Sequence, residues 1–110
     1  MYRLTKTIEI SAAHSLKLDY ESKCTRMHGH NWLITVHLQG ETLNQNGMLM
    51  DFSEIKRLVK EPLDHHNLNE VLPFNPTAEN IAKWVFDLLQ PLCVRVDVQE
   101  SRDNIASYYV

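Results

Sequence analysis

Alternating polar and apolar residues mark four segments of the chain as strands. Residues 2–10 place apolar side chains at positions 2, 4, 8 and 10, and residues 31–39 place them at every even position. The alternation returns over 94–98, and a short polar turn then leads into a last expected strand, roughly 105–109. Because successive side chains of a strand point to opposite faces, each segment has one apolar face to bury. The pattern therefore predicts four half-buried strands.

Two segments between the second and third strands have the spacing of amphipathic helices. The first begins with a capping-box pattern at Asp51, and Pro62 is expected to end it. The second has Thr77 as its expected N-cap and is expected to end at Pro91. The segment between the two helices, 63–76, is predicted to be a long loop.

The resulting element order, ββααββ, determines the expected fold class. Strand pairs joined by hairpin-length connections favour an antiparallel sheet, and two amphipathic helices would cover one face of it. We therefore predict a single α+β domain over residues 1–110, a length that suits one domain. Such a small domain buries a modest fraction of its surface, so oligomerisation is a reasonable way to gain stability.

Composition and charge narrow the range of partners. The formal net charge is −3 and the basic residues are scattered, which argues against nucleic acid or an anionic membrane surface as a partner. No stretch reaches the roughly 18 consecutive apolar residues of a membrane span. The two cysteines are too few for a disulfide framework, and the first residues lack a signal-peptide pattern. We expect a cytoplasmic protein with reduced thiols.

Three of the six histidines are spaced so that they could share a metal ion. His28 and His30 are two residues apart and lead into the second strand, so their rings project from one face. His14 lies just beyond the first strand and has the parity of its apolar residues. If the two strands pair as a hairpin, the three rings converge. His37 has the opposite parity and is predicted to lie on the other face.

Three imidazoles with a fourth position left open are the ligand set of a catalytic zinc ion. Nitrogen donors favour zinc over magnesium or calcium, although ligand type alone does not separate zinc from iron, copper or nickel. The simpler alternative is that the three histidines are ordinary polar residues exposed at strand ends.

Cys24, four residues before His28, has two interpretations. As a fourth ligand it would close the metal site and make it structural. As a free thiol beside the metal it would be a base or a nucleophile. The residues alone leave both open. Cys93 opens an apolar strand and is predicted to be a small core residue.

Acidic residues beside these motifs suggest further roles. The Asp64–His65 pair lies in the predicted loop, where a carboxylate that orients an imidazole would form a proton relay. An exposed histidine beside a capping aspartate is the plain alternative, and His66 is the weaker candidate. Glu100 has the parity of the apolar residues of its strand, so its side chain is predicted to point inward. A buried carboxylate needs a hydrogen-bonding partner, and one with two parallel N–H donors, such as a guanidine-like heterocycle edge, would suit it. Glu79 falls in the first turn of the second helix, where its charge complements the helix dipole.

Five short motifs, taken in order, resemble the 6-pyruvoyltetrahydropterin synthase family. They extend from about residue 5 to residue 105, nearly the whole chain, and their joint order and spacing are far more specific than any one motif. They are ISAAH ending at His14, CTRMHGH from Cys24 to His30, GMLMDF from Gly47 to Phe52, LDHHNLN from Leu63 to Asn69, and PTAEN from Pro76 to Asn80.

The resemblance implies a fold and an assembly. Members of this family have the tunnelling fold (T-fold), an antiparallel four-stranded sheet with two helices on one face, and their trimers join three sheets into a barrel. Two trimers usually stack into a hexamer, with active sites between subunits. The three residues between Cys24 and His28 are similar to the bacterial branch that forms 6-carboxytetrahydropterin, whereas the animal pyruvoyl-forming enzymes have a longer gap.

The resemblance also implies a substrate and residue roles. The substrate would be 7,8-dihydroneopterin triphosphate, and the products 6-carboxytetrahydropterin, acetaldehyde and triphosphate, a step toward the 7-deazaguanine base of queuosine. The alternatives are the pyruvoyl-forming reaction of the same family and a non-catalytic zinc- or pterin-binding module. The resemblance implies that His14, His28 and His30 bind one zinc ion per subunit and that Cys24 is the proton acceptor. It implies a proton relay of His65, backed by Asp64, and Glu100. The implied pterin-binding residues are Glu100, Glu79 and Thr77.

Overall fold

A four-stranded antiparallel sheet forms the centre of the computed structural model, which describes residues 1–110. Its strands follow one another in space as they do along the chain, and each pairs with its neighbour. The predicted α+β class and antiparallel sheet are confirmed. The strands are β1 (Tyr2–His14), β2 (His28–Gly40), β3 (Cys93–Ser101) and β4 (Asn104–Tyr109).

The strands extend further than the alternation predicted. His14 is the last residue of β1 rather than lying beyond it, and β2 begins at His28 instead of residue 31. The ladder pairs the two strands without interruption from Tyr2 opposite Gly40 to His14 opposite His28. Small residues and glycine interrupt the apolar alternation here, but the backbone hydrogen bonds of the ladder do not depend on side-chain type.

Helices α1 (Phe52–Leu63) and α3 (Ala78–Leu88) are the two that the sequence predicted. Their N-caps are the expected ones, since Asp51 accepts a hydrogen bond from the Ser53 N–H and Thr77 accepts one from the Asn80 N–H. Pro62 lies in the last turn of α1, and the helix ends one residue later. No helix is long and apolar enough to cross a lipid bilayer.

A single-turn helix, α2 (Leu68–Val71), interrupts the segment predicted to be a long loop. Asn67 caps it by accepting a hydrogen bond from the Asn69 N–H, and the Leu68 side chain is fully buried. Four residues are too few to show a helical period, so the apolar pattern could not indicate this turn.

The core lies between the helices and the apolar face of the sheet. It consists of 21 buried hydrophobic residues, and even-numbered positions of β1, β2 and β3 supply most of its sheet side. Cys93 is among them, as predicted for a small core residue. The residues of β2 in this core are fully buried, namely Trp32, Ile34, Val36 and Leu38.

The other face of the sheet is polar. His37 lies on this face, as its parity predicted, and its Nε2 is 3.0 Å from Asp97 Oδ2. Asp97 also accepts hydrogen bonds from Arg95 Nε and from the Ser107 hydroxyl, so the contacts connect three neighbouring strands. Opposite-charge and hydroxyl pairs of this kind stabilise a sheet across its strands.

Residues 64–67 cover one end of the outer edge of β1. The His65 N–H donates to Ser11 O at 2.7 Å, and the Ala13 N–H donates to His66 O at 3.2 Å. The Asp64 carboxylate accepts from the Ser11 N–H at 2.8 Å. This short stretch of extra pairing fixes the Asp64–His65 segment beside the last residues of β1.

Candidate metal centre

The His14, His28 and His30 rings meet at the end of the sheet where β2 begins. Their ring centroids are 4.5 Å apart for His14 and His28, 5.2 Å for His14 and His30, and 4.8 Å for His28 and His30. The strand register brings them together, since His14 is paired with His28, and His30 is paired with Ala12 two positions earlier. All three residues have the parity of the core-facing side chains.

Backbone carbonyls fix the tautomers of two of these rings. His14 Nδ1 lies 2.7 Å from Pro76 O, and His28 Nδ1 lies 2.7 Å from Arg26 O. A carbonyl oxygen only accepts hydrogen bonds, so each Nδ1 carries the proton and each Nε2 presents a lone pair. A carbonyl on the second ring nitrogen is the usual support of a metal-binding histidine.

Burial leaves His14 without a partner for its lone pair. The residue is fully buried, and its Nε2 has no hydrogen-bond partner. Burial lowers the pKa of His14 below its ordinary value, the nearby His28 and His30 lower it further, and the Pro76 carbonyl and Glu100 act in the opposite direction. The imidazole is therefore held neutral, which is the form that binds a metal.

Glu100 is a fourth member of this cluster. Its Oε1 lies 2.8 Å from His30 Nε2 and 3.6 Å from His14 Nε2. Ligand-type atoms of the four residues all lie within 4.8 Å of one another. The sequence predicted that the Glu100 side chain points inward, but the expected partners of Glu100 were a heterocycle and a proton relay rather than a metal ion. The β2–β3 register could have indicated this position, because continuing from Leu33 opposite Gln99 places Glu100 opposite Trp32.

The Trp32 side chain supports the cluster from the core side. Its ring centroid is 4.8 Å from that of His14 and 5.3 Å from that of His30, and both contacts are edge-on. The indole N–H donates to Ala12 O at 3.1 Å, so the ring is fixed in position. A rigid apolar wall on one side limits the movement of the ligand side chains.

The donors suit a transition-metal ion. Three imidazole nitrogens and one carboxylate oxygen converge, and a buried lone pair on His14 has no partner within the chain. Sites for magnesium or calcium are built from oxygen atoms instead. The residues therefore fit the metal that the spacing predicted.

Cys24 is not part of the converging group. It lies in a single 3-10 turn (Lys23–Thr25) that begins with a hydrogen bond from the Cys24 N–H to Ser22 Oγ, and it is half-buried. The four residues whose ligand atoms converge do not include this thiol. The geometry thus favours the interpretation of Cys24 as a free thiol over that of a closing ligand.

The Asp64–His65 pair forms at the edge of the sheet. His65 Nε2 is 3.5 Å from Asp64 Oδ2, and the His65 backbone is left-handed with φ 58°. The imidazole is 81% exposed in the single chain. His65 and His30 are both among the residues that line one open groove. A positive φ in a residue other than glycine costs free energy and often accompanies a functional position.

The expected pterin-binding residues Thr77 and Glu79 lie at the start of α3. Thr77 Oγ1 caps the helix, and Glu79 is exposed in its first turn, as predicted. The preceding residue, Pro76, holds His14 through its carbonyl, so this motif is tied to the metal centre. Within one chain, the converging group does not include Glu79.

Comparisons with known proteins agree with this geometry. The family model described as "6-pyruvoyl tetrahydropterin synthase" matches residues 3–110. A 6-carboxy-5,6,7,8-tetrahydropterin synthase from Synechocystis sp. is 37% identical, covering 99% of this chain and 94% of that protein. A protein of the same name from Bacillus subtilis is 32% identical, covering 97% of this chain and 84% of that protein.

A solved structure confirms the fold. The Caenorhabditis elegans 6-pyruvoyl tetrahydropterin synthase structure matches with a TM-score of 0.80 and 28% identity, covering 99% of this chain and 95% of that one. The tunnelling fold expected from the five motifs is therefore confirmed, as is the resemblance that suggested it. The chain belongs to the 6-pyruvoyl tetrahydropterin synthase family.

Proposed function

We propose that this chain is a zinc-dependent 6-carboxy-5,6,7,8-tetrahydropterin synthase. It would convert 7,8-dihydroneopterin triphosphate to 6-carboxytetrahydropterin, acetaldehyde and triphosphate, in the route to queuosine. The observation that carries the proposal is the convergence of His14, His28 and His30 around a buried imidazole lone pair with no partner in the chain. Two relatives that bear the name of this activity match nearly the whole chain.

The three histidines would hold one zinc ion per subunit. The carbonyls of Pro76 and Arg26 keep the lone pairs of His14 and His28 directed into the cluster, so the ligands are oriented before the ion binds. Zinc in this position would act as a Lewis acid on the side-chain hydroxyls of the substrate, which makes the neighbouring C–H bonds more acidic.

Cys24 and the Asp64–His65 pair would move protons. The thiol of Cys24 would accept a proton from the substrate side chain, and it is free to do so because it is not among the converging ligands. Asp64 would orient His65, since its Oδ1 is fixed by the Ser11 N–H while its Oδ2 faces the imidazole. Glu100 would join this relay.

Carboxylates and a hydroxyl would bind the pterin ring. Glu100 would accept the two parallel N–H bonds of the pterin amino edge, with help from Glu79 and Thr77. These residues select for a heterocycle with a guanidine-like edge. A substrate without that edge would leave these carboxylates unpaired once the assembled site excludes water, which costs free energy.

We further propose that the active site is completed between subunits of a cytoplasmic homotrimer or hexamer. His65 is 81% exposed in one chain and lines an open groove, so a neighbouring subunit is needed to exclude water from this pair. The trimer would join its sheets into a barrel, with the polar face that carries His37 and Asp97 on the inside.

Two alternative functions are compatible with the same fold. The pyruvoyl-forming reaction is favoured by the likeness to the Caenorhabditis elegans enzyme, but the three-residue gap between Cys24 and His28 is similar to the carboxy-forming branch. A non-catalytic zinc- or pterin-binding module would retain the metal cluster and show no turnover.

One incubation tests all three functions. Purified protein is mixed with 7,8-dihydroneopterin triphosphate, and acetaldehyde and the mass of the pterin product are measured. If the proposal is correct, acetaldehyde and 6-carboxytetrahydropterin form together, and neither forms after treatment with a chelator. A pyruvoyl product without acetaldehyde would support the first alternative, and unchanged substrate with a bound metal would support the second.

A further inference from the structure

The contact between Glu100 and His30 is not an ordinary hydrogen bond. Glu100 Oε1 is 2.8 Å from His30 Nε2, a normal hydrogen-bond distance. His30 Nε2 is nevertheless buried without a hydrogen-bond partner, so the ring nitrogen does not direct an N–H at this oxygen. The two atoms are close to each other without pointing at each other.

A shared third atom explains this geometry. Two ligands at about 2.0–2.1 Å from one zinc ion, at a tetrahedral angle, are themselves about 3.4 Å apart. The distances from Glu100 Oε1 to the Nε2 atoms of His30 and His14, 2.8 and 3.6 Å, lie on either side of that separation. Atoms that surround an ion have this spacing, and their lone pairs point to the ion rather than to one another.

The Glu100 carboxylate has no competing partner within the chain. It accepts no hydrogen bond, and its close contacts are with the imidazole rings of His14 and His30. The residue lies next to the end of β3, where the β3–β4 register shifts, and its side chain is 25% exposed. It can therefore turn away from the ring cluster toward a bound ligand without breaking other contacts.

We propose that Glu100 is the fourth metal ligand of the substrate-free protein and leaves the metal when the pterin binds. This inference rests on the proposed function, because the second partner of Glu100 is the pterin amino edge. One carboxylate exchanges between two sites: it closes the metal to water and stray ligands in the resting protein, and pterin binding opens the fourth position. The position that a catalytic zinc needs is thus opened by the substrate itself.

Cobalt substitution tests this inference without any turnover. The zinc of the full protein is replaced with Co²⁺, whose visible absorption reports coordination number and ligand type. We expect a four-coordinate spectrum that changes in Glu100→Gln, together with a loss of zinc affinity of at least about tenfold in a chelator competition. Glu61→Gln, which changes an exposed carboxylate of α1 outside the cluster, is the matched control and should leave both readouts unchanged.

Adding pterin itself, which has no side-chain hydroxyls, tests the exchange step. We expect the parent Co²⁺ spectrum to change when pterin is added, and the Glu100→Gln spectrum to remain constant. Equal zinc affinity and identical spectra for the parent and Glu100→Gln would overturn the inference. A parent Co²⁺ spectrum that does not change when pterin is added would overturn it as well. These readouts do not depend on catalysis, so a parent protein that fails to produce acetaldehyde would refute only the proposed reaction.

Discussion

His14 and His28 are direct partners in the antiparallel ladder of β1 and β2. The metal cluster is therefore a consequence of strand register, because the third ring, His30, stands two positions from His28 on the same face. A shift of the β1–β2 register by one residue would place the histidine rings of one strand on the opposite face of the sheet. The fold and the metal centre depend on the same pairing.

Removing one ring should remove the metal. For His28→Ala we expect zinc content to fall from about one per chain to a small fraction, because the substitution removes one of the three imidazole ligands. Elemental analysis of the purified protein measures this. His37→Ala is the matched control, since His37 lies on the same strand and the opposite face. A full zinc complement in His28→Ala would refute the ligand assignment.

Cys24→Ala should separate catalysis from metal binding. We expect turnover of 7,8-dihydroneopterin triphosphate to fall by about 10²–10⁴-fold, the usual contribution of a general base, with zinc content unchanged. Steady-state kinetics and elemental analysis give the two values. Cys93→Ala, in the core, should retain turnover and lose about 1 kcal/mol of stability. If Cys24→Ala loses its zinc, the thiol is a ligand after all.

Asp64→Asn should weaken the proposed relay while preserving its backbone. The amide oxygen can still accept from the Ser11 N–H, so the edge of β1 stays covered, but the charge facing His65 is lost. We expect a fall in kcat with little change in KM or zinc content. The control is His66→Ala, whose ring contacts the Asp64 carbonyl rather than its carboxylate. An unchanged kcat in Asp64→Asn would remove the pair from the mechanism.

Trp32→Phe should lower both stability and zinc affinity. The substitution leaves the buried Ala12 carbonyl without the indole N–H, at a cost of about 1–3 kcal/mol. It also loosens the wall behind His14 and His30. Urea unfolding and chelator competition measure the two effects. Trp84→Phe on α3, a partly buried ring without such a bond, should affect stability less and zinc affinity hardly at all.

Asp97 should make stability depend on pH in the acid range. Burial alone would raise the pKa of Asp97, but hydrogen bonds from Ser107, His37 and Arg95 outweigh it and hold the pKa below its ordinary value of 3.8. The charged carboxylate therefore stabilises the fold above pH 3.8, and this contribution is lost as the pH falls through the lower, folded-state pKa.

A variant without the Asp97 carboxylate tests the direction of this pH dependence of stability. The free energy of unfolding of Asp97→Asn should be below that of the parent at pH 7 and pH 5, and the two should approach each other below pH 4. Urea denaturation across that range gives the values. A difference that stays constant down to pH 3 would contradict the sign worked out for Asp97.

The sequence predicted the sheet, the two long helices and the ring cluster because each is encoded by local periodicity. Alternation predicted the faces of β1 and β2, and parity then separated His37 from the other histidines. The single turn of α2 was missed because four residues carry no period. β1 was predicted to end too early and β2 to begin too late, because backbone pairing continues where apolar alternation stops.

The position of Glu100 shows a different limit of prediction from the sequence. Its inward direction could be predicted from parity, but its distance from His30 depends on the pairing of β2 with β3, which are separated by more than fifty residues of helix and loop. Similarly, nothing in the residues indicated that residues 64–67 would pair with β1. Contacts between distant segments are decided by packing, and a local pattern does not specify them.

The covered end of β1 has a consequence for subunit assembly. Its outward N–H groups at Ser11 and Ala13 are already taken, whereas those at positions 5, 7 and 9 have no partner within the chain. A strand from a neighbouring copy can therefore add only along the half remote from the histidines, and it must stop where residues 64–67 begin. In the proposed oligomer, a backbone contact next to the candidate metal centre would thus set the stagger between adjacent subunits.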